Sequence, residues 1–141
     1  KNHINLIKAI NKLVKIDGLK NMKIVFTSAK DLEYKNIYNF IKKSKLNNYI
    51  VFTGYVSKKK LANLYSGARA LVMPTYFGPT NIPPIEAFNY GCPVIISDIF
   101  ASREQCKDAA LYFNPNEPDQ IANSIKEIWM NDNLYLKMKK K

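Results

Sequence analysis

Apolar residues recur at intervals of three and four along several stretches of the chain, with lysines on the opposite side. In the first stretch, residues 4–14 place isoleucine, leucine and valine on one face and Lys8, Lys12 and Lys15 near the other, and Gly18 follows. This period is that of an amphipathic α-helix, and glycine commonly follows a helix C-terminus. Further helices are predicted over 31–46, 58–67, 83–90, 118–129 and 132–140.

Short, nearly continuous apolar runs lie between these helices. They predict five strands, over 23–28, 49–53, 70–74, 93–97 and 109–113. Strands that alternate with helices and carry few polar residues indicate a parallel sheet buried on both faces. The predicted fold class is therefore α/β, a Rossmann-like doubly wound parallel sheet with helices on both faces. Doubly wound units normally begin with a strand, so we expect the first strand, and whatever precedes it, to be absent from this chain.

Length and composition fit one globular domain over residues 1–141 that is large enough to bury a core. Cys92 and Cys106 form neither a CxxC motif nor a disulfide framework, which favours a reducing, cytoplasmic setting. His3 is the only histidine. With no second cysteine near Cys92, we expect no metal site. His3 is expected to be a packing or capping residue and Cys92 a small buried apolar residue, and neither is expected to take part in chemistry.

The formal net charge of +11 would suit an anionic partner. Lysine supplies nearly all of it, since Arg69 and Arg103 are the only arginines. Faces that bind nucleic acid usually show arginine or interleaved aromatic residues, and neither pattern stands out, so we expect no nucleic-acid partner. One alternative stays open on charge alone: a basic module without enzymatic activity that binds nucleic acid or an anionic surface.

The segment 73–98 carries the clearest indication of a binding site. It predicts a buried strand, a turn, a helix that begins at Pro83-Pro84, a glycine stop and a second buried strand. In α/β proteins, ligands bind at the carboxyl ends of the strands, where helix N-termini present free N–H groups. The turn over 75–82 lies there, and Glu86 follows one turn into the helix. Backbone amides beside a carboxylate would suit a sugar nucleotide, through its phosphates and its vicinal hydroxyls.

Five motifs follow one another along essentially the whole chain: Lys1-Asn-His-Ile-Asn-Leu-Ile-Lys-Ala, Val51-Phe-Thr-Gly-Tyr-Val-Ser, Leu61-Ala-Asn-Leu-Tyr-Ser-Gly-Ala-Arg-Ala-Leu-Val-Met-Pro, Pro83-Pro-Ile-Glu-Ala-Phe-Asn-Tyr-Gly-Cys-Pro-Val-Ile-Ile-Ser-Asp and Ala109-Ala-Leu-Tyr-Phe-Asn-Pro. In this order they resemble the C-terminal, donor-binding domain of GT-B glycosyltransferases of the retaining family-4 type (glycosyl transferases group 1). The resemblance implies metal-independent transfer of a sugar from a nucleoside diphosphate sugar to a glycan or lipid-linked acceptor. The donor is a substrate, and no cofactor is implied.

Residue by residue, the resemblance implies a donor site. Glu86 would hold the ribose hydroxyls, and Lys1 would stabilise the leaving diphosphate. The turn would present backbone N–H groups to the sugar and diphosphate, and Tyr55 and Val56 would line the base pocket. Lys30, after a strand end, is a further candidate for contact with the nucleotide. The residues of the turn are Gly78, Pro79, Thr80, Asn81 and Ile82.

One position departs from the family pattern. The signature has two glutamates eight positions apart, and the first corresponds to Gly78. We expect Thr80 and Asn81 to replace its contacts with the sugar hydroxyls. The absence of an Asp-x-Asp motif argues against the metal-dependent glycosyltransferases. The expected partners are the donor, an N-terminal acceptor-binding domain of the same enzyme and, peripherally, an anionic membrane surface, and this chain alone is expected to be inactive.

Overall fold

Seven helices and five strands make up the part of the chain that the computed structural model describes, residues 2–27, 34–78 and 81–140. The five predicted strands are confirmed, and each end lies within two residues of the predicted one. The helices are α1 (His3–Lys15), α2 (Tyr34–Lys43), α3 (Lys58–Gly67), α4 (Ile82–Asn89), α5 (Phe100–Cys106), α6 (Pro118–Met130) and α7 (Asp132–Lys139). The strands are β1 (Ile24–Phe26), β2 (Ile50–Phe52), β3 (Leu71–Met73), β4 (Val94–Ser97) and β5 (Ala110–Phe113).

Local sequence explains where the site-bearing helices begin and end. Ser57 caps α3, because its hydroxyl accepts a hydrogen bond from the Lys60 N–H at 3.3 Å. Two prolines stand in the first turn of α4, where their missing N–H groups would have no partner inside the helix. Gly91 follows α4 with a φ of +62°, a left-handed conformation that glycine adopts without strain.

All strand pairs are parallel, as predicted, but the described strands form two sheets. β1 pairs with β2, and β3, β4 and β5 pair in that order. Among the described residues no backbone ladder joins β1 to β3, so each of these strands has one unpaired edge. Val25 and Val51 face each other across the smaller sheet and are 40% and 43% exposed.

Helices cover both faces of the larger sheet. Ile95 of β4 belongs to a core that includes α1, α2 and α6, whereas its neighbours Val94 and Ile96 belong to a second core with α3, α4 and α5. Because successive side chains of a strand point to opposite faces, the two cores lie on opposite sides of the sheet. The doubly wound arrangement is therefore confirmed.

The first core brings the two ends of the sequence together. Ile7 and Ile10 of α1 and Ile121 and Ile128 of α6 are fully buried in it. Lys12 of α1 also pairs with Asp119 of α6 at 2.9 Å. The α6 partners of α1 are more than 100 residues away, so burial of α1 relies in part on contacts between distant segments.

One helix, α5, was not predicted. It has seven residues, and the side chains that it buries are Ser102 and Cys106. A helix with so short an apolar face leaves no hydrophobic period in the sequence. The predicted helix 31–46 is confirmed over Tyr34–Lys43, and its first residues lie outside the described ranges. In those ranges we find no helix with the length and apolarity to span a membrane.

Candidate functional site

Glu86 lies in the second turn of α4 and faces α3. The hydroxyl of Tyr65 donates a hydrogen bond to its Oε2 atom at 3.1 Å. Tyr65 is only 8% exposed, and its ring stacks on that of Tyr90 at 6.0 Å between centroids. Burial raises the pKa of the Tyr65 phenol well above its usual range, and the bond to the carboxylate raises it further. The phenol is therefore a fixed, neutral donor to Glu86.

The start of α4 offers few free amides. The first four N–H groups of a helix lack partners inside it, and here the third and fourth positions are Pro83 and Pro84, which have none. The amides of Asn81 and Ile82 remain. The Asn81 N–H lies 3.4 Å from Oε1 of Gln105, a long hydrogen bond that a ligand could replace.

Gln105 fixes this end of α4 from the neighbouring helix α5. Its Nε2 donates to the backbone carbonyl of Asn81 at 2.6 Å while its Oε1 faces the Asn81 N–H. The side-chain amide of Gln105 therefore forms hydrogen bonds with both the N–H and the carbonyl of Asn81, in the way that a neighbouring strand would. Since α5 itself was not predicted, no signal in the sequence pointed to Gln105.

Gly78 and Asn81 share one space. A Cβ atom on Gly78 would lie 3.0 Å from Oδ1 of Asn81, closer than ordinary packing allows. Nδ2 of Asn81 is buried and has no hydrogen-bond partner within the described residues. The carboxamide of Asn81 thus occupies the volume into which a side chain at position 78 would begin to extend.

The N-terminus of α1 is anchored at the same edge of the sheet. Asn2 and Asn5 donate to the carbonyl of Pro115, which follows β5, at 2.6 and 3.0 Å. Asn5 also lies 3.3 Å from the hydroxyl of Tyr76, which follows β3. His3 packs edge-on against Phe26 at 5.3 Å, which confirms its expected packing role.

The predicted base-pocket residues stand at the carboxyl end of β2. Gly54 turns the chain there with a φ of +66°, and Tyr55 behind it is 87% exposed, while Val56 is half-buried. Tyr55 and Val56 therefore follow a strand of the smaller sheet. Glu86, in contrast, lies in α4, which follows a strand of the larger sheet. Lys1, Lys30, Pro79 and Thr80 lie outside the described residues, so their predicted roles stay predictions.

A cavity of about 450 Å³ lies at the ends of β4 and β5, where no site was predicted. Tyr76, Asp98 and Asn114 are among its lining residues. Arg103 forms a two-pronged ion pair with Asp98 at 2.6 and 2.7 Å, which lowers the pKa of that carboxyl, and stacks on Tyr112. The Asp98 carboxylate at this cavity is therefore already paired with a cation of the domain.

No group of three metal-ligating side chains occurs in the described ranges.

The sequence matches the family model of glycosyl transferases group 1 over residues 1–141. The chain belongs to this family. Among curated relatives, the glycosyl transferase domain is 40% identical over 84 residues to the O-antigen chain mannosyltransferase RfbU of Salmonella typhimurium, over 60% of the domain and 24% of RfbU. It is 29% identical over 96 residues to O-antigen chain mannosyltransferase B of Escherichia coli, over 68% of the domain and 25% of that protein. The domain therefore spans about a quarter of these relatives.

Solved structures share the fold of this glycosyl transferase domain. It matches the C-terminal domain of the group 1 glycosyl transferase LpcC from Francisella tularensis with a TM-score of 0.79 and 19% identity, over 98% of the domain and 74% of that chain. It also matches sucrose-phosphate synthase from Thermosynechococcus elongatus with a TM-score of 0.78 and 23% identity, over 97% of the domain and 35% of that chain. The predicted fold, one half of a GT-B glycosyltransferase, is confirmed.

Proposed function

We propose that this domain binds the nucleoside diphosphate sugar of a retaining, metal-independent glycosyltransferase that acts in polysaccharide synthesis. The O-antigen mannosyltransferases among its relatives support a mannosyl donor and a glycan or lipid-linked acceptor. The proposed location is the cytoplasmic face of the membrane, which the reducing setting indicated by two free cysteines supports.

The placement of Glu86 carries this proposal. Its carboxylate stands one turn beyond the start of α4, at the carboxyl edge of the sheet, and one of its oxygens is held by Tyr65. Two adjacent ribose hydroxyls can donate to a carboxylate that is oriented in this way. Without a ligand role, a carboxylate in the second turn would gain little from the helix dipole, which acts mainly within the first turn.

The remaining groups assist departure of the diphosphate. Charge develops on the leaving diphosphate as the sugar gains oxocarbenium character, and fixed donors stabilise that charge. The amide of Ile82 supplies one donor, the amide of Asn81 supplies a second when the diphosphate replaces its long contact with Gln105, and Lys1 supplies a cation. Because Pro83 and Pro84 remove two of the four amides that a helix N-terminus normally presents, the domain needs a cation more than an ordinary helix N-terminus does.

The sugar of the donor would lie against Asn81. Its carboxamide fills the volume beside Gly78, where the family signature has a glutamate, and its buried Nδ2 is a donor in need of an acceptor. A sugar hydroxyl would satisfy that group. In this proposal Asn81 takes over a contact with the sugar that the first glutamate of the signature would make.

We also propose that the intact enzyme adds an N-terminal domain, which binds the acceptor, and one further strand. The domain spans a quarter of its curated relatives, and β1 and β3 each have an edge that could pair with another strand. The 141-residue chain alone would bind the donor weakly and transfer no sugar. Full transferase activity from it would contradict this.

A thermal-shift screen tests the donor site. UDP, GDP and their mannose and glucose conjugates are added to the wild type, to Glu86→Ala and to Glu127→Ala, whose exposed carboxylate on α6 makes it a matched control. At least one nucleotide is expected to raise the melting temperature of the wild type and of Glu127→Ala but not of Glu86→Ala. If no nucleotide stabilises the wild type, or if Glu86→Ala responds equally, the site assignment fails.

The alternative of a basic nucleic-acid-binding module has less support. Arg69 contacts the carbonyls of Ile128 and Trp129 and pairs with Asp132, and Arg103 pairs with Asp98, so both arginines are engaged within the domain. Binding to RNA or DNA that falls steeply with salt, without saturable binding of a nucleotide sugar, would favour the alternative.

A further inference from the structure

Tyr65 and Glu86 form a contact between α3 and α4 that the family signature does not explain. The two residues are 21 positions apart, and the phenol donates to Oε2 at 3.1 Å. Oε1 has no hydrogen-bond partner among the described residues. One oxygen of the carboxylate is therefore fixed by the protein, and the other is left for a ligand.

We propose that Tyr65 is a positioning residue, whose hydroxyl holds the Glu86 carboxylate in the orientation that accepts the ribose hydroxyls. This inference rests on the proposed function, because it assumes that Glu86 binds ribose. The Glu86 side chain can rotate about three bonds. A hydrogen bond from the fixed Tyr65 hydroxyl removes much of that rotational freedom before the ligand binds, so less conformational entropy is lost on binding.

The surroundings of Tyr65 suit this role. Its ring lies in the second core, which α3, α4 and α5 form with one face of the larger sheet. The ring stacks in parallel on that of Tyr90, with 9° between the ring planes. The ring therefore cannot swing away from α4 without disturbing the core. Burial and the neighbouring carboxylate keep the phenol protonated, so it donates a hydrogen bond throughout the physiological pH range.

A merely structural role makes a different prediction. If Glu86 serves only to satisfy a buried phenol, removal of the hydroxyl changes stability and affects every ligand equally. If Tyr65 positions the carboxylate, the loss falls on the ribose hydroxyls alone. A ligand that lacks them separates the two roles.

The experiment measures dissociation constants of the 141-residue chain by calorimetry. The probes are GDP and UDP, each with its 2′,3′-dideoxy form. The proteins are the wild type, Tyr65→Phe, Glu86→Ala and Tyr90→Phe, the last of which removes the hydroxyl of the other stacked ring. Urea unfolding of each variant verifies that it folds.

For the base that binds, the wild type and Tyr90→Phe are expected to prefer the ribose form by about tenfold or more, and Glu86→Ala to show no preference. Tyr65→Phe is expected to lower the preference by about three- to tenfold and to bind the dideoxy form as the wild type does. A Tyr65→Phe protein that keeps the full preference, or weakens both forms equally, overturns the role of Tyr65 while the donor site stands. A wild type that binds no nucleotide, or ignores the ribose hydroxyls, removes the assigned role of Glu86 and this inference with it.

Discussion

The side chain of Gln105 pairs with the backbone of Asn81 at the start of α4, accepting from its N–H and donating to its carbonyl. The bond to the carbonyl is short, at 2.6 Å, and links α5 to the turn that is proposed to hold the donor. The geometry of the turn therefore depends on a neighbouring helix as well as on its own prolines.

Replacement of Gln105 by alanine is expected to loosen this turn. The loss of two hydrogen bonds should lower the free energy of unfolding by about 1–2 kcal/mol and weaken donor binding several-fold. Urea unfolding and calorimetry with the nucleotide sugar measure the two effects. Glu104→Ala is the matched control, since Glu104 is an exposed residue of the same helix. Equal behaviour of the two variants would argue that the turn holds its shape unaided.

Asn81→Ala should separate binding of the sugar from binding of the nucleotide. Because the carboxamide is proposed to contact the sugar, the variant is expected to lose roughly tenfold in affinity for the nucleotide sugar and little for the free nucleoside diphosphate. Gly78→Ala should act in the same direction, since its Cβ would displace the Asn81 side chain. Calorimetric titrations with both ligands provide the comparison, and a parallel loss for both ligands would contradict the assignment.

Stability is expected to fall at alkaline pH through Cys92. Burial raises the pKa of this thiol from 9.0 to about 11, and a raised folded-state pKa means that the neutral thiol is favoured by folding. The contribution is fully present below pH 9 and is lost as the pH rises through 11, up to about 2–3 kcal/mol in all. Between these pH values the free energy of unfolding of Cys92→Ala should decline less than that of the wild type. Parallel declines would show that another group is responsible.

The strands and the long helices could be predicted from the sequence because each has a clear period. The continuous run around Ile95 indicates burial on both faces, and Ile121, Ile125 and Ile128 mark one face of α6. The cap of α3 is likewise local, because the Ser57 hydroxyl accepts from an N–H only three residues away.

Contacts between distant segments could not be predicted in the same way. Tyr65 reads as a core residue of α3, and only the packing of α3 on α4 brings its hydroxyl to Glu86. The close approach of Gly78 and Asn81 depends on the path of the turn. The position of Gln105 depends on α5, a helix without an apolar stripe that a sequence pattern could reveal. The division of the strands into two sheets likewise has no local signal, because a strand has the same pattern whether one or both of its edges are paired.

The pairing of α1 with α6 has a consequence for how the chain folds. The segment from β3 to β5 is contiguous and can form its parallel ladder from local crossovers. The fully buried residues of α1 must wait for partners that are synthesised more than 100 residues later. Since such distant contacts form slowly, we infer that the core between α1 and α6 closes last, after α6 has left the ribosome. Until then the apolar side chains of α1 lack the α6 side of their core and remain partly exposed.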